Sequence, residues 1–278
     1  MKTVKDMFDL TGKVTIITGG AGMLGQKHAE AIAEFGGIPV IVDINQGVCE
    51  EVATKIANKF GVSSLGLSCD ITKQNMVEKL HDRVLEEFGR VDILINNAAN
   101  NPKVGAMGLD GVNDSRIEAF PLEAWNQDIA VGLTGSFLCA RTFGATMANN
   151  GGGVILNISS DLSLISPDQR LYRKDGLPEH AQPVKPVTYS VVKSGLIGLT
   201  RYLSTYWVAQ GVRCNALSPG GVYVDQDEQF VKNLSQLIPM GRMANKDEYK
   251  AAIVFLVSDA SSYMNGTNMV LDGGRTVL

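Results

Sequence analysis

The sequence predicts an α/β fold in which helices cover a parallel β-sheet, and three observations support this prediction. A β-branched run at residues 14–18 leads into a glycine-rich turn and an amphipathic helix. Strand and helix patterns then alternate four times before residue 100. Polar side chains follow the ends of these strands, where an open parallel sheet binds its ligands.

The first strand, turn and helix, residues 13–36, predict a phosphate-binding cradle. The turn contains four glycines, Gly19, Gly20, Gly22 and Gly25. Because they lack side chains, a pyrophosphate can approach the backbone, and the first N–H groups of the helix supply donors at the positive end of its dipole. An ordinary tight turn is the alternative interpretation, so the prediction depends on the surrounding sequence.

The second apolar run, residues 38–42, ends in Asp43, at the distance expected for an acidic residue that binds the adenosine ribose. A carboxylate there repels a 2′-phosphate, and no Arg or Lys follows in residues 44–48. The pattern therefore favours NAD over NADP, without excluding NADP. The alternative is that Asp43 only opens a turn before the next helix.

Composition predicts one domain, residues 1–278, because 278 residues with 45% hydrophobic content can bury a large core. The net charge of −4 is spread without a basic tract, which argues against a nucleic-acid partner. No apolar run reaches membrane-spanning length and no signal core is apparent, so we expect a cytoplasmic protein with no membrane partner. The cysteines lack CxxC spacing and the histidines are isolated, which predicts reduced thiols and no metal site.

The remaining elements follow in alternation. Apolar periodicity predicts helices at residues 46–60, 73–88, 125–148, 188–209, 226–238 and 246–258, and strands at residues 64–68, 91–95, 154–158, 212–217 and 267–271. Residues 100–121 and 161–187 show no clear period and contain prolines. Because each follows a strand end, we expect both segments to border the ligand crevice.

Tyr189 and Lys193 lie four residues apart on a predicted helix, so their side chains share one face. A free tyrosine has a pKa of about 10, and a neighbouring ammonium lowers that pKa by favouring the phenolate. Ser160 ends a predicted strand, and its hydroxyl suits a substrate oxygen. Together the three suit proton exchange with a carbonyl or alcohol while a nicotinamide coenzyme carries the hydride. Chance spacing is the alternative.

These motifs, in this order, resemble those of the short-chain dehydrogenases/reductases. The matching residues are Thr18-Gly19…Gly25, Asp70, Asn96-Asn97-Ala98, Ser160, Tyr189-x-x-x-Lys193, Asn215…Pro219-Gly220 and Asp272-Gly273-Gly274. The resemblance covers nearly the whole chain and implies a doubly wound Rossmann fold with a seven-stranded parallel sheet, NAD(P)-dependent hydride transfer, and a homodimer or homotetramer. It implies that Tyr189 is the catalytic acid/base, that Lys193 lowers its pKa and binds the nicotinamide ribose, and that Ser160 orients a small-molecule substrate.

The resemblance also implies a set of coenzyme contacts. These residues are Gly19, Gly22, Met23, Leu24, Gly25, Asp43, Ile44, Asp70, Ile71, Asn97, Ala98, Tyr189, Lys193, Pro219, Gly220 and Val222.

Four positions depart from the family pattern. Met23 replaces the middle glycine of the glycine motif, and Ala99 replaces a glycine that commonly follows Asn-Asn-Ala. Gly132 aligns with the family's catalytic asparagine, so the proton relay through that asparagine is in question. Val224 replaces a threonine that often follows the Pro-Gly turn.

Two segments are candidates for determining substrate specificity, because both are longer than is usual in the family. They are residues 100–121 and the 29 positions from Ser160 to Tyr189. The second segment contains the cations Arg170, Arg173, Lys174, His180 and Lys185 among acidic residues. These cations suit a phosphate or carboxylate, and a solvated loop or subunit contact is the alternative. The glycine turn, the long segment before Tyr189 and residues 218–222 also resemble a bacterial branch assigned to flagellin modification and nonulosonic (legionaminic-type) acid precursor synthesis. That likeness implies a sugar or sugar-phosphate substrate.

Three functions stay open at this point. The first is a dehydrogenase or ketone reductase acting on a polar, sugar-derived substrate with Tyr189 as acid/base. The second is a reductase of lipid-like or acyl-carrier ketones, which the family also includes. The third is a dinucleotide-binding sensor or scaffold that retains the fold without turnover, and Met23 and Gly132 motivate it.

Overall fold

The computed structural model describes residues 2–100 and 113–278. Seven of its strands form one parallel sheet in the order β3-β2-β1-β4-β5-β6-β7. The strands are β1 (Val14–Thr18), β2 (Ile38–Asp43), β3 (Leu65–Ser68), β4 (Ile93–Asn96), β5 (Gly153–Ile158), β6 (Val212–Pro219) and β7 (Asn268–Leu271). The strand order reverses between β1 and β4, which places the ligand crevice of a doubly wound sheet at the carboxyl ends of these strands. The structure confirms the predicted Rossmann fold and its seven strands.

Helices cover both faces of the sheet. They are α1 (Val4–Met7), α2 (Met23–Glu34), α3 (Gln46–Phe60), α4 (Gln74–Phe88), α5 (Leu122–Ile129), α6 (Gly135–Asn149), α7 (Val187–Tyr206), α8 (Glu228–Gln236) and α9 (Lys250–Val257). One face packs against α2, α3 and α9, and the other packs against α4, α6 and α7. Because both faces are covered, every residue of the central strands β1 and β4 is buried, without alternation.

The core consists of two apolar layers, one on each side of the sheet. Ile17, Ile32 and Ile253 join β1, α2 and α9 in the first layer. Leu94 and Phe143 join β4 and α6 in the second layer. Burial of these side chains on both sides holds the strand ends, and the polar residues that follow them, in a fixed arrangement.

The helix predicted at residues 125–148 contains an irregular turn that the sequence analysis missed. The helical stretch runs from α5 into α6 through a π-helical turn at Ala130–Thr134. Turns of this kind are rare and occur mostly at functional sites. Gly132, at the position of the family's asparagine, lies inside this turn.

Other boundaries differ by a few residues from prediction. β6 continues to Pro219, α7 ends at Tyr206, and α1 was not predicted. Residues 161–187 contain only short 3₁₀ turns, as the lack of periodicity predicted. Of the first irregular segment, residues 100–121, residues 101–112 lie outside the described residues. Among the helices of residues 2–100 and 113–278, none has the length and apolarity needed to cross a bilayer.

Candidate active site

The glycine-rich turn between β1 and α2 forms an open cradle at the carboxyl edge of the sheet. A Cβ added at Gly25 would lie 2.2 Å from the carbonyl oxygen of Gly19, so only glycine fits there. Gly19 has a φ of +61°, a conformation that L side chains rarely adopt. The N-cap of α2 is Gly22, and no side chain caps the first N–H groups of the helix. A bare backbone with uncapped N–H groups fits a pyrophosphate.

Asp43 ends β2 beside this cradle. Its carboxylate accepts a hydrogen bond from the N–H of Ala21 at 3.3 Å and from the N–H of Ile44 at 2.8 Å. The contact with Ala21 ties the acid directly to the glycine turn. The side chain of Ile44 is exposed and carries no charge that would attract a 2′-phosphate.

Asp70 follows β3 and is held by Thr72. Its Oδ1 accepts hydrogen bonds from the hydroxyl of Thr72 at 2.6 Å and from the N–H of Thr72 at 3.0 Å. The hydroxyl bond is the main reason that the pKa of Asp70 lies below its ordinary value. Ile71 is buried, and its Cδ1 lies 2.7 Å from the position that a Cβ on Gly135 would take. The side chain of Ile71 therefore belongs to the core.

Thr18 joins the ends of β1 and β4. Its hydroxyl accepts hydrogen bonds from the N–H groups of Asn97 and Ala98, at 3.0 and 3.1 Å. The Asn97 amide donates in return to the carbonyl oxygens of Thr18 and Gly19, at 3.0 and 3.1 Å. These bonds hold the Asn-Ala pair against the cradle.

The three side chains with candidate chemistry, Ser160, Tyr189 and Lys193, line one cavity of about 350 Å³. The same lining includes the predicted coenzyme residues Met23, Leu24, Asn97, Pro219, Gly220 and Val222. The other predicted coenzyme residues follow or end strands β1 to β4 at the same edge, outside this lining: Gly19, Gly22, Gly25, Asp43, Ile44, Asp70, Ile71 and Ala98. The cavity therefore adjoins the cradle through Met23 and Leu24.

Ser160 is held by Asp161, a residue that the sequence analysis did not single out. The Ser160 hydroxyl donates to Asp161 Oδ1 at 2.8 Å, and Asp161 Oδ2 accepts from Arg275 Nη1 at 2.7 Å. Both charged side chains are buried. The glycine pair Gly273-Gly274, with φ values of +67° and +90°, turns the chain so that Arg275 reaches this point. The hydroxyl of Ser160 thus has one orientation fixed by a buried ion pair.

Lys193 is buried on α7 and donates from Nζ to the carbonyl oxygen of Ile158 at 2.8 Å. The Ser159 hydroxyl donates to the Lys193 carbonyl oxygen at 2.8 Å, which fixes the helix against the end of β5. Burial, and to a smaller degree the charge of Lys185, lowers the pKa of Lys193 to about 8. Lys193 therefore keeps most of its charge at neutral pH.

Tyr189 lies one turn before Lys193, and the Lys193 Nζ is 5.7 Å from the centre of the Tyr189 ring. Burial raises the pKa of the Tyr189 phenol, and hydrogen bonding with Ser160 opposes that rise. The expectation of a lowered pKa, drawn from the Tyr-x-x-x-Lys spacing, is wrong for the chain by itself. The physical reason is that removal of the phenol from water raises its pKa more than the hydrogen bond with Ser160 lowers it. The Lys193 Nζ donates its hydrogen bond to the carbonyl oxygen of Ile158.

Gly132 has no room for an asparagine. A Cβ at Gly132 would lie 2.4 Å from Cγ1 of Val192, so the Val192 side chain occupies the space that the family's asparagine needs. Nearby, the Thr188 hydroxyl donates to Asp128, whose other carboxylate oxygen accepts from the Asn100 amide at 3.1 Å. These contacts fix the start of α7 beside Tyr189 without the asparagine.

The other three departures, Met23, Ala99 and Val224, line the cavity. Met23 is the first residue of α2 and has no positive φ, so its backbone does not require glycine. The structure therefore accommodates the methionine in the cradle without backbone strain.

The cations of residues 161–187 divide into two groups. Arg170 pairs with Asp168 and Arg173 with Glu179 at the surface. Lys174 and His180 are also exposed. Lys185 alone of the five lines the cavity, and its Nζ lies 4.0 Å from the centre of the Tyr189 ring.

Metal chemistry has no support within the described residues. No group of three His, Cys, Asp or Glu side chains in residues 2–100 and 113–278 is placed to hold a metal ion. The four cysteines are free and buried. For Cys139, burial raises the pKa of the thiol far above its ordinary value, so it packs as a neutral side chain.

Comparison with known families gives two adjoining matches. The family model described as short chain dehydrogenase matches residues 13–171, and the model described as enoyl-(acyl carrier protein) reductase matches residues 178–276. Together they span the sheet, the cradle and the cavity.

Individual proteins match over nearly the full length. D-threitol dehydrogenase of Mycolicibacterium smegmatis is 34% identical, over 97% of this chain and 95% of the relative. An NAD-dependent glycerol dehydrogenase of Listeria innocua is 32% identical, over 97% of this chain and 96% of the relative. The crystal structure of NADPH-dependent 3-quinuclidinone reductase from Rhodotorula rubra superposes with a TM-score of 0.84 at 30% identity, covering 100% of this chain and 96% of that one.

Proposed function

We propose that this chain, which belongs to the short-chain dehydrogenase family, oxidises a secondary alcohol of a polyol or sugar-derived substrate and reduces the corresponding ketone. Membership makes it an oxidoreductase with a nicotinamide coenzyme. The observation that carries the proposal is the convergence of Ser160, Tyr189 and Lys193 on one cavity beside the cradle. The curated relatives that act on threitol and glycerol support a polyhydroxylated substrate.

The proposed chemistry divides the work between three side chains and the coenzyme. The bound nicotinamide supplies or accepts the hydride. The Ser160 hydroxyl has one proton, so on substrate binding it exchanges its Asp161 acceptor for the reacting oxygen of the substrate. Tyr189 gives a proton to that oxygen in ketone reduction and takes one from the alcohol in oxidation. Lys193 stabilises the phenolate by its charge.

The environment of Tyr189 gives the two directions different pH dependence. Because burial raises the pKa of its phenol, Tyr189 is protonated at neutral pH and ready to act as the acid for ketone reduction. Alcohol oxidation requires the phenolate, so we expect its rate to rise with pH above neutrality. Initial rates in the two directions, measured over the same pH series, should show this opposite behaviour.

Tyr189→Phe tests the catalytic assignment. We expect a loss in kcat/KM of roughly 10²–10⁴-fold, because the proton donor and acceptor is removed while the ring is kept. Coenzyme binding, followed by nicotinamide fluorescence, should persist. Tyr263→Phe is the matched control, since Tyr263 is fully exposed and lies outside the cavity lining. Full turnover by Tyr189→Phe would refute the mechanism.

We propose NAD as the preferred coenzyme. Asp43 next to the cradle supports this, because its carboxylate repels a 2′-phosphate and the adjacent Ile44 brings no positive charge. We expect kcat/KM with NAD to exceed that with NADP at least tenfold, about 1.4 kcal/mol. Asp43→Ser combined with Ile44→Arg should reverse or abolish the preference.

An acyl-carrier or lipid-like ketone is the second candidate substrate. Val224, Phe230, Leu234 and Met243 give the cavity one apolar wall. The charged side chains of Lys185 and Arg275 line the same cavity and favour a polyol substrate instead. Turnover of β-ketoacyl thioesters in preference to polyols would reverse this assignment. Coenzyme binding without turnover of either class would favour a sensor or scaffold.

We also propose that the chain assembles as a homodimer or homotetramer and acts in the cytoplasm. Exposed apolar side chains on α6 and α7 support assembly: Phe137, Val191, Tyr202 and Tyr206. Four free cysteines support a reducing compartment. Light scattering after size-exclusion chromatography measures the oligomer directly.

A further inference from the structure

Lys185 occupies an unusual position for a loop lysine. It lies two residues before α7, and its N–H donates to Oε1 of Gln169 at 2.8 Å, which fixes its backbone. Its Nζ lies 4.0 Å from the centre of the Tyr189 ring, and its side chain lines the cavity. The ammonium therefore lies over the face of the Tyr189 ring, and the lysine as a whole is half-buried.

The acids near Lys185 are already occupied. Asp161 pairs with Arg275, Asp168 pairs with Arg170, and Glu179 pairs with Arg173. Within the described residues no acidic side chain lies within 4.0 Å of the Lys185 ammonium. Burial lowers its pKa, and the charge of Asp161 opposes this change. In the part of the chain that the structure describes, the ammonium contacts the face of the Tyr189 ring but has no opposite charge beside it, and an anionic ligand would supply that charge.

The cavity as a whole has an excess of positive charge. Among the residues that the structure describes, its lining contains the three cations Lys185, Lys193 and Arg275 and one carboxylate, Asp161. Lys193 is committed to a backbone carbonyl, whereas Arg275 makes one hydrogen bond within the described residues, to Asp161. The guanidinium has five N–H donors, so others are available at the cavity wall.

We propose that Lys185 and Arg275 form an anion-binding end of the substrate site, so that the preferred substrate is a polyol or sugar derivative bearing a carboxylate or phosphate. Lys185 binds that group and places the secondary alcohol against Ser160 and Tyr189. This inference rests on the proposed dehydrogenase function and narrows its substrate class.

The experiment compares substrates that differ only in charge. A neutral polyol, its terminal phosphate and the corresponding aldonate of the same configuration are assayed with the full chain and NAD at low salt. We expect at least one anionic member to exceed the neutral polyol about tenfold in kcat/KM, as a charge-assisted hydrogen bond provides. Comparison of the aldonate with the phosphate identifies which anion the site takes.

Lys185→Met removes the charge and keeps an apolar stem of similar length. It should lower kcat/KM for the anionic substrate roughly 10–100-fold more than for the neutral polyol, mainly through KM. Lys174→Met, an exposed lysine of the same segment, is the control and should change neither. If Lys185→Met slows both substrates equally, Lys185 acts on Tyr189 rather than on the substrate, and the proposal is wrong.

A binding measurement separates this inference from the proposed function. Calorimetric titration of the coenzyme-loaded protein with the aldonate and with the phosphate needs no turnover. Binding that Lys185→Met weakens, without turnover by the wild type, would support the anion site and contradict the dehydrogenase. Turnover of neutral polyols, with no anion bound or preferred, would support the dehydrogenase and overturn the anion site.

Discussion

The coenzyme side and the substrate side of the crevice are built in different ways. On the coenzyme side, the cradle, Asp43 and Asn97 are placed by short turns that directly follow strands β1, β2 and β4. On the substrate side, Asp161 reaches Arg275 across 114 positions of sequence and holds the hydroxyl of Ser160. Local backbone geometry therefore determines the first side, and long-range packing of charged side chains determines the second.

Removing one partner of the buried ion pair should affect the substrate side most. Arg275→Met leaves the Asp161 carboxylate buried without its guanidinium, which should lower the free energy of unfolding by about 3–5 kcal/mol. Arg275→Met combined with Asp161→Asn should recover at least half of that loss, because no uncompensated charge remains. Urea unfolding of the two variants and the wild type measures both values. A loss below about 1 kcal/mol for the single variant would show that the pair does not anchor the chain terminus.

This difference explains how much of the molecule the sequence could predict. The glycines around Gly25 and the acid at Asp43 are local signals, because strand ends and positive φ angles leave a direct trace in residue type. The sequence contains no comparable local signal for the Asp161–Arg275 ion pair. Neither residue belongs to a spaced motif, and only the folded chain brings the turn after β7 to the end of β5.

Gly132 shows a further limit of sequence comparison. Its alignment with the family's asparagine was visible, but the reason for the glycine is the Val192 side chain on α7. The π-helical turn that contains Gly132 has no periodicity signal of its own. The Tyr-x-x-x-Lys spacing also predicted the wrong direction of change for the Tyr189 pKa. The reason is related, because the burial of the phenol depends on the whole fold.

On the coenzyme side, His28 makes the free energy of unfolding depend on pH. It is fully buried in α2, where the Asn97 side chain approaches the ring, but neither ring nitrogen makes a hydrogen bond of good geometry within the described residues. Burial lowers its pKa to about 4 from an ordinary value of 6.5. Between these values the unfolded chain binds a proton that the folded chain does not, so stability is complete above pH 6.5 and falls as the pH is lowered toward 4.

His28→Phe should remove this contribution. The difference in unfolding free energy between wild type and variant should change by about 3 kcal/mol from pH 7 to pH 4, since each pKa unit corresponds to about 1.4 kcal/mol. Urea unfolding at a series of pH values measures it. His180→Gln, at an exposed position, is the control. Parallel pH curves for wild type and His28→Phe would show that His28 does not titrate in this range.

Gly25→Ala tests whether the coenzyme side depends on backbone space alone. The new Cβ would lie 2.2 Å from the Gly19 carbonyl oxygen and 2.7 Å from Gly20 Cα, so the cradle backbone must move. We expect the coenzyme Kd to rise about 10–100-fold, equivalent to roughly 1–3 kcal/mol of overpacking. Gly22→Ala should have a smaller effect, because its nearest contact is at 3.2 Å and its φ is −71°. Gly198→Ala on α7, with nothing within 4 Å, is the control for a glycine outside the cradle. Equal affinities across the three variants, measured by nicotinamide fluorescence, would mean that the cradle tolerates side chains and that the contrast between the two sides is not one of backbone geometry.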